Sequence, residues 1–150
     1  MKITIAAVGK LKEDYLKEAS AFLSASISKH CEFDIIEIPD EKNEDNASFS
    51  VTESIKNKEG AGLMKRIVAS QYVIALAIDG DQLNTDGLKN KIITCRTKGK
   101  DDIVFVIGGS LGLSNEVLKR ADYKLSFSPM TFPHQLMRIM LMEQISLSLK

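Results

Sequence analysis

Apolar residues arrive in two alternating rhythms along the chain. Lys2–Val8 is a nearly unbroken apolar run closed by Gly9, as expected of a strand buried on both faces of a parallel sheet. A helical rhythm follows over Glu13–Ser28, where Leu16, Ala19, Phe22, Leu23 and Ile27 fall on one face. Phe33–Ile38 is a second strand that Pro39 ends, and Asp40–Ser50 is a polar, acidic loop of unusual length. Ser50–Ser70 predicts a helix with Ile55, Leu63, Met64, Ile67 and Val68 turned inward, weakened at its centre by Gly60 and Gly62. Tyr72–Ile78 is a third apolar run, ended by Asp79-Gly80. Thr85 is placed to cap a helix through Thr97 that buries Leu88, Ile92 and Ile93.

The most informative stretch runs from Asp102 to His134. A strand (Ile103–Ile107), a glycine turn (Gly108-Gly109-Ser110), a helix near Ser114–Ala121 and a short strand (Lys124–Phe127) lead to an irregular loop, Ser128–His134. A last helix spans Pro133 to Leu149, with Thr131 as its expected cap and Leu136, Met137, Met140, Leu141 and Ile145 as a broad apolar face. Strict β-α alternation predicts one α/β domain over residues 1–150: a three-layer α/β/α sandwich with a mostly parallel sheet. Such folds keep ligands in loops at the carboxyl ends of their strands, which draws attention to the turn after Ile107 and the loop after Phe127.

Composition narrows the picture. Lys and Arg number 20, as do Asp and Glu, so zero formal charge gives no global attraction to nucleic acid, and any RNA contact needs a local basic patch. Cys31 and Cys95 lack metal-ligand spacing and read as buried free thiols of a reducing compartment. The apolar start is too short for a signal sequence, and no segment reaches the about 18 apolar residues that a membrane span needs. A cytoplasmic protein without membrane or metal partners is expected.

Gly108-Gly109-Ser110-Leu111-Gly112 is not G-x-G-x-x-G, because Ile107 stands where the first glycine belongs, and no suitable acidic residue lies about 20 positions on. Phosphate-loop and nucleophile-elbow motifs are absent, and two histidines cannot furnish a His-rich metal site. The glycines also have a simpler explanation, a strand-to-helix turn needing positive φ. His134 is either a structural helix-start residue or, with Arg138 one turn later, faces an anionic substrate. Arg138 in an apolar helix needs a partner if buried, whether phosphate, carboxylate or another chain. Lys10 and Lys12 are either a solvated turn or a phosphate contact.

Ala7-Val8-Gly9-Lys10-Leu11-Lys12, Phe105-Val106-Ile107-Gly108-Gly109-Ser110 and Leu125-Ser126-Phe127-Ser128-Pro129-Met130-Thr131-Phe132-Pro133-His134-Gln135-Leu136-Met137-Arg138 together resemble the RlmH-type ribosomal RNA methyltransferases of the SPOUT superfamily. The likeness covers nearly the whole chain. It implies a C-terminal trefoil knot and a homodimer that works on the assembled ribosome. The activity it implies is methyl transfer from S-adenosyl-L-methionine to N3 of a pseudouridine in 23S rRNA. The family's cofactor positions fall on Leu76, Gly108, Phe127, Ser128, Pro129, Met130, Thr131 and Phe132, and His134, Arg138 and Lys10 become candidates for substrate contact. No catalytic residue is assigned. The last helix, with its wide apolar stripe, is the expected dimer face.

Family members continue after Glu-Gln-apolar with an aromatic and basic tail, whereas here Glu143-Gln144-Ile145 is followed by Ser146-Leu147-Ser148-Leu149-Lys150. In the family that tail helps to complete the substrate side. Three functions are therefore weighed: the rRNA methyltransferase, a catalytically impaired ribosome-binding or dimerisation module that keeps the cofactor pocket, and an unrelated nucleotide-binding α/β protein.

Overall fold

A computed structural model describes residues 1–41 and 47–150. Residues 42–46, within the expected acidic loop, lie outside them. Five strands, β1 (Lys2–Val8), β2 (Glu32–Ile38), β3 (Tyr72–Gln82), β4 (Asp102–Ile107) and β5 (Tyr123–Ser126), alternate with α1 (Asp14–Ser28), α2 (Phe49–Met64), α3 (Thr85–Thr97), α4 (Asn115–Arg120) and α5 (His134–Ser148). The strands form one sheet in the order β2-β1-β4-β3-β5, every pair parallel.

Alternation within the apolar runs divides the core in two. Ile3, Ile5, Ile74, Ile103 and Phe105 face one side and pack with Leu23 and Ile27 of α1, Leu88 and Ile92 of α3, and Leu141, Met142 and Ile145 of α5. Ala6, Val8, Val73, Val104 and Val106 face the other side, against Leu63 of α2 and Val117 of α4. The expected three layers are thus present. Each fully buried Ile, Leu or Phe contributes about 1.5–3 kcal/mol by leaving water, and Ile3, Ile5, Ile74, Ile103 and Phe105 are all 0% exposed.

Several local expectations fail for identifiable reasons. The second helix stops at Met64 rather than Ser70, with Lys65 as its C-cap. Arg120 donates to the carbonyls of Val68, Ala69 and Gln71, which holds that segment in a non-helical path. Val68 is consequently exposed, as are Phe22, Ile93 and Leu136, although helical spacing placed them on inner faces. Asn84, not Thr85, caps α3 by accepting the N–H of Gly87 at 2.7 Å. Thr131 caps nothing; Pro133 occupies the N-cap position of α5 and makes no side-chain cap hydrogen bond. Cys95 is buried but Cys31 only half so, and both are free.

Asp79-Gly80 does not end the third strand. Leu125 pairs with both Leu76 and Asp81, so the residues between them bulge out of the ladder before pairing resumes. Gly80 permits this, because a Cβ there would stand 2.7 Å from the backbone of Lys124.

Candidate functional site

The carboxyl ends of β3, β4 and β5 meet at a cavity of about 570 Å³. The β3 bulge supplies Leu76, Ala77 and Ile78, and the turn after β4 supplies Ile107 to Gly112. Beyond β5, Phe127, Ser128, Met130, Thr131 and Phe132 complete the wall, and α5 closes it with His134 and Met137. Leu76, Gly108 and all of the run 127–132 except Pro129 therefore share one cavity; Pro129 is exposed in the same loop.

The glycine turn works by close approach more than by unusual φ. Gly109 and Gly112 form an antiparallel bridge, with the Gly112 N–H donating to the Gly109 carbonyl at 3.0 Å. A Cβ on Gly108 would lie 2.7 Å from the carbonyl carbon and oxygen of Gly112, so only glycine lets the turn close. The expectation of positive φ at Gly108-Gly109 is corrected: in this turn Gly112 carries it, at +87°. On the other side, the Ser126 hydroxyl donates to the Ser128 carbonyl and the Ser128 hydroxyl accepts the Met130 N–H. These local bonds shape the loop without secondary structure.

Among the described residues, the lining holds no Asp, Glu, Lys or Arg. Apolar side chains and backbone groups dominate it. Such a site suits a flat, uncharged ring and offers no fixed cation to hold a phosphate.

A second cleft, of about 380 Å³, opens beside it at the ends of β1 and β2. Lys10, Lys12, Glu37, Asp40, His134 and Gln135 are among its walls, so His134 is common to both. Gly9 sits here at φ +90°, a conformation that favours glycine, while a Cβ on it would make only ordinary contact, 3.5 Å, with His134 Nε2. Lys10 is exposed. Arg138 is turned inward, with only 2% of its surface exposed. Its guanidinium donates to Glu37 Oε2 at 2.7 Å and to the Gly9 carbonyl at 2.9 Å. The partner that a buried arginine requires is thus a carboxylate of the chain itself. The Lys12 N–H donates to Gln135 Oε1 at 3.0 Å, a second tie between the first turn and α5.

A family model described as "Predicted SPOUT methyltransferase" matches residues 1–148. The chain belongs to the SPOUT methyltransferase family. A "Ribosomal RNA large subunit methyltransferase H" from Clostridium kluyveri is 53% identical over 97% of this chain and 91% of its own length. A "Ribosomal RNA large subunit methyltransferase H 1" from Clostridium perfringens is 51% identical over the same shares. Among solved structures, a probable methylase family protein from Haemophilus influenzae aligns at TM-score 0.55 with 14% identity, a likeness of fold alone. That alignment covers 98% of this chain and 66% of the other.

In this SPOUT methyltransferase the sequence missed part of the cavity wall. Ala77 and Ile78 were not named, and Met137 was read only as part of an apolar helix face, yet all three face the same space. A glycine inside a strand pattern, Gly80, was the available signal for the first two, since it marks a bulge as readily as an end. Also missed was Glu59 of α2, buried behind the glycine turn with 4% exposure. Burial foremost, with the neighbouring acids Asp40 and Glu41 adding to it, pushes its carboxyl up to about 7, against the opposing pull of the Glu41 N–H. Among the described residues, no group of three or more His, Cys, Asp and Glu could hold a metal ion. No helix among them is long and apolar enough to cross a membrane.

Proposed function

We propose that the chain transfers a methyl group from S-adenosyl-L-methionine to N3 of a pseudouridine in 23S rRNA of the assembled ribosome, acting in the cytoplasm as a homodimer. The cavity without fixed charge carries the cofactor part of this reading. S-adenosyl-L-methionine is a nucleoside derivative with no phosphate, and an apolar wall edged by backbone groups fits it better than it fits a phosphorylated nucleotide. Leu76, Phe127, Met130 and Phe132 would flank the adenosyl group. Backbone N–H and C=O groups of Gly108, Ser128 and Thr131 would read its polar edge.

The bound cofactor supplies an electrophilic methyl group, so the protein need furnish neither nucleophile nor metal. The tasks left to this chain are to orient, to exclude water and to manage one proton. The tight glycine turn and the loop from Phe127 to Phe132 perform the first two by holding the cofactor between two rigid backbones. The second cleft supports the substrate part. Lys10 offers a charge to RNA phosphate, and His134 stands on the wall between cofactor and RNA. Arg138 acts from behind by holding Gly9 and Glu37 in place, and because it stays protonated it cannot accept the N3 proton.

Two further features belong to the same reading. The chain leaves β5 at the sheet edge and returns to start α5 beside Gly9 at the end of β1, a path that supports the family's C-terminal trefoil knot. Part of α5's apolar stripe is used within the chain, since Leu141 and Ile145 are buried, together with Met142. What supports pairing with a second copy is the remainder: exposed Leu136 and Leu147, and an apolar groove lined by Leu83, Leu88, Phe127, Ile139 and Met140.

The deciding experiment is mass spectrometry of rRNA from ribosomes incubated with the protein and S-adenosyl-L-methionine. A methylated pseudouridine in the large-subunit RNA is the expected product. Its absence, beside a relative that succeeds, removes the enzymatic reading for this chain.

A further inference from the structure

One buried ionisable group close to the cavity has no part in the steps above. Glu59 Oε2 accepts the N–H of Glu41, just beyond β2, at 3.1 Å. Its Oε1 is sealed from solvent and has no hydrogen-bond partner among the described residues. Both oxygens lie beside the glycine turn, leaving too little room for a side chain there: a Cβ on Gly109 would lie 3.2 Å from Oε1 and 3.3 Å from Oε2. The next residue repeats the arrangement. A Cβ on Gly60 would stand 2.2 Å from Oγ of Ser114, the hydroxyl that caps α4 by accepting the Val117 N–H. The Glu59-Gly60 step therefore underlies both ends of the segment 109–114.

We propose that Glu59 is a positioning residue for the methyl-donor site: its carboxyl latches the segment after β2 to the Gly109 turn and so sets the backbone that the cofactor meets. This rests on the cofactor reading given above. Among the described residues, the charged groups facing Glu59 are Asp40 and Glu41, both acidic. Val8 of β1 and Gly109 of the turn bring no charge. With one oxygen sealed from solvent and only acidic neighbours, the neutral acid is accordingly the latched form. Loss of its proton would set three carboxylates against one another and loosen the turn.

The sign follows from a carboxyl raised from its ordinary 4.5 to about 7. The latch is intact below the lower value and is lost as pH rises through the upper one. Calorimetry with S-adenosyl-L-methionine on the full chain, at about one pH unit either side of the raised value, should show wild-type affinity about tenfold weaker on the alkaline side, the size of one hydrogen bond. Glu59→Gln keeps an acceptor for the Glu41 N–H, cannot ionise, and should bind equally at both pH values. Glu59→Ala should bind about tenfold more weakly at both. Without cofactor, Glu59→Ala should also exchange the amides of residues 108–112 faster than wild type, read by mass spectrometry at one pH. A Glu59→Gln protein that keeps the wild-type pH dependence overturns the proposal, as does a Glu59→Ala protein with wild-type exchange and affinity. If Glu59→Ala does not fold, Glu59→Gln carries the test. If wild type binds no cofactor at either pH, the cofactor reading falls, and amide exchange still judges the latch.

Discussion

Two clefts share one edge of one sheet, and they are built on opposite principles. The cavity at the ends of β3, β4 and β5 is shaped by backbone: a bulge at Ala77–Gly80, a turn that closes on itself at Gly108, and a loop held by Ser126 and Ser128. The cleft at the ends of β1 and β2 is shaped by side-chain charge, with Lys10, Lys12, Glu37 and Asp40 on its walls and Arg138 behind them. Both lie where parallel strands end. The difference suits each to another half of a two-substrate reaction. An uncharged cavity discriminates by shape and desolvation, while an ionic cleft attracts a polyanion and responds to salt. His134 stands between them.

The comparison breaks most severely at Gly108. A side chain there cannot relax away, because the atoms it meets, at 2.7 Å, are the backbone of Gly112. Gly108→Val should weaken S-adenosyl-L-methionine binding about 100-fold, or ~3 kcal/mol, by calorimetry. A near-native melting transition would show that the loss is local. Gly112→Ala sharpens the point. It meets nothing within 4 Å, so its cost is only that of a non-glycine residue at φ +87°, roughly 1 kcal/mol. Undiminished cofactor affinity in Gly108→Val would remove the cavity from the donor role.

The charged cleft should fail next, and in stability before affinity. Arg138 is buried, but the side chain of its partner Glu37 is 36% exposed, so the pair is only partly withdrawn from water. Arg138→Met would strand the Gly9 carbonyl and leave Glu37 unpaired, at an expected ~2 kcal/mol in urea unfolding. Arg138→Lys should recover part of this, since a lysine ammonium keeps the charge but lacks the two-pronged reach. A Met variant as stable as wild type would show that Gly9 needs no tie to α5.

The difference between the clefts also explains what could be read in the chain beforehand. All five strands were legible: β1, β3 and β4, inside the parallel sheet, are written as continuous apolar runs, and the edge strands β2 and β5 as shorter, mixed ones. The Gly108 turn and the loop from Phe127 were legible as backbone-permissive segments, and the family resemblance placed cofactor positions on them. The bulge was not legible, because its cause is the approach of Lys124's backbone to Gly80, a contact between distant parts of the chain. Arg138 announced that it needed a partner but not which, and Glu37 lies 101 positions away. Glu59 carried no local signal at all. A glutamate in a polar helix is ordinarily solvated, and only the folded position of Gly109 makes it a buried acid.

The smallest expected effect is also the most selective. Lys10 is exposed, so Lys10→Ala should leave the melting temperature within error. If its ammonium meets one RNA phosphate, affinity for ribosomal RNA fragments should fall two- to threefold, and the slope of log affinity against log salt should flatten by about 1. Lys12→Ala, which preserves the backbone bond to Gln135, should add a similar increment if both lysines point along the same strand. S-adenosyl-L-methionine affinity should not move in either variant, because neither lysine lines the larger cavity proposed for it. An unchanged salt slope would take RNA away from this cleft. A fall in cofactor affinity would mean that the two clefts are coupled through His134, and that the division drawn between backbone-built and charge-built halves does not hold.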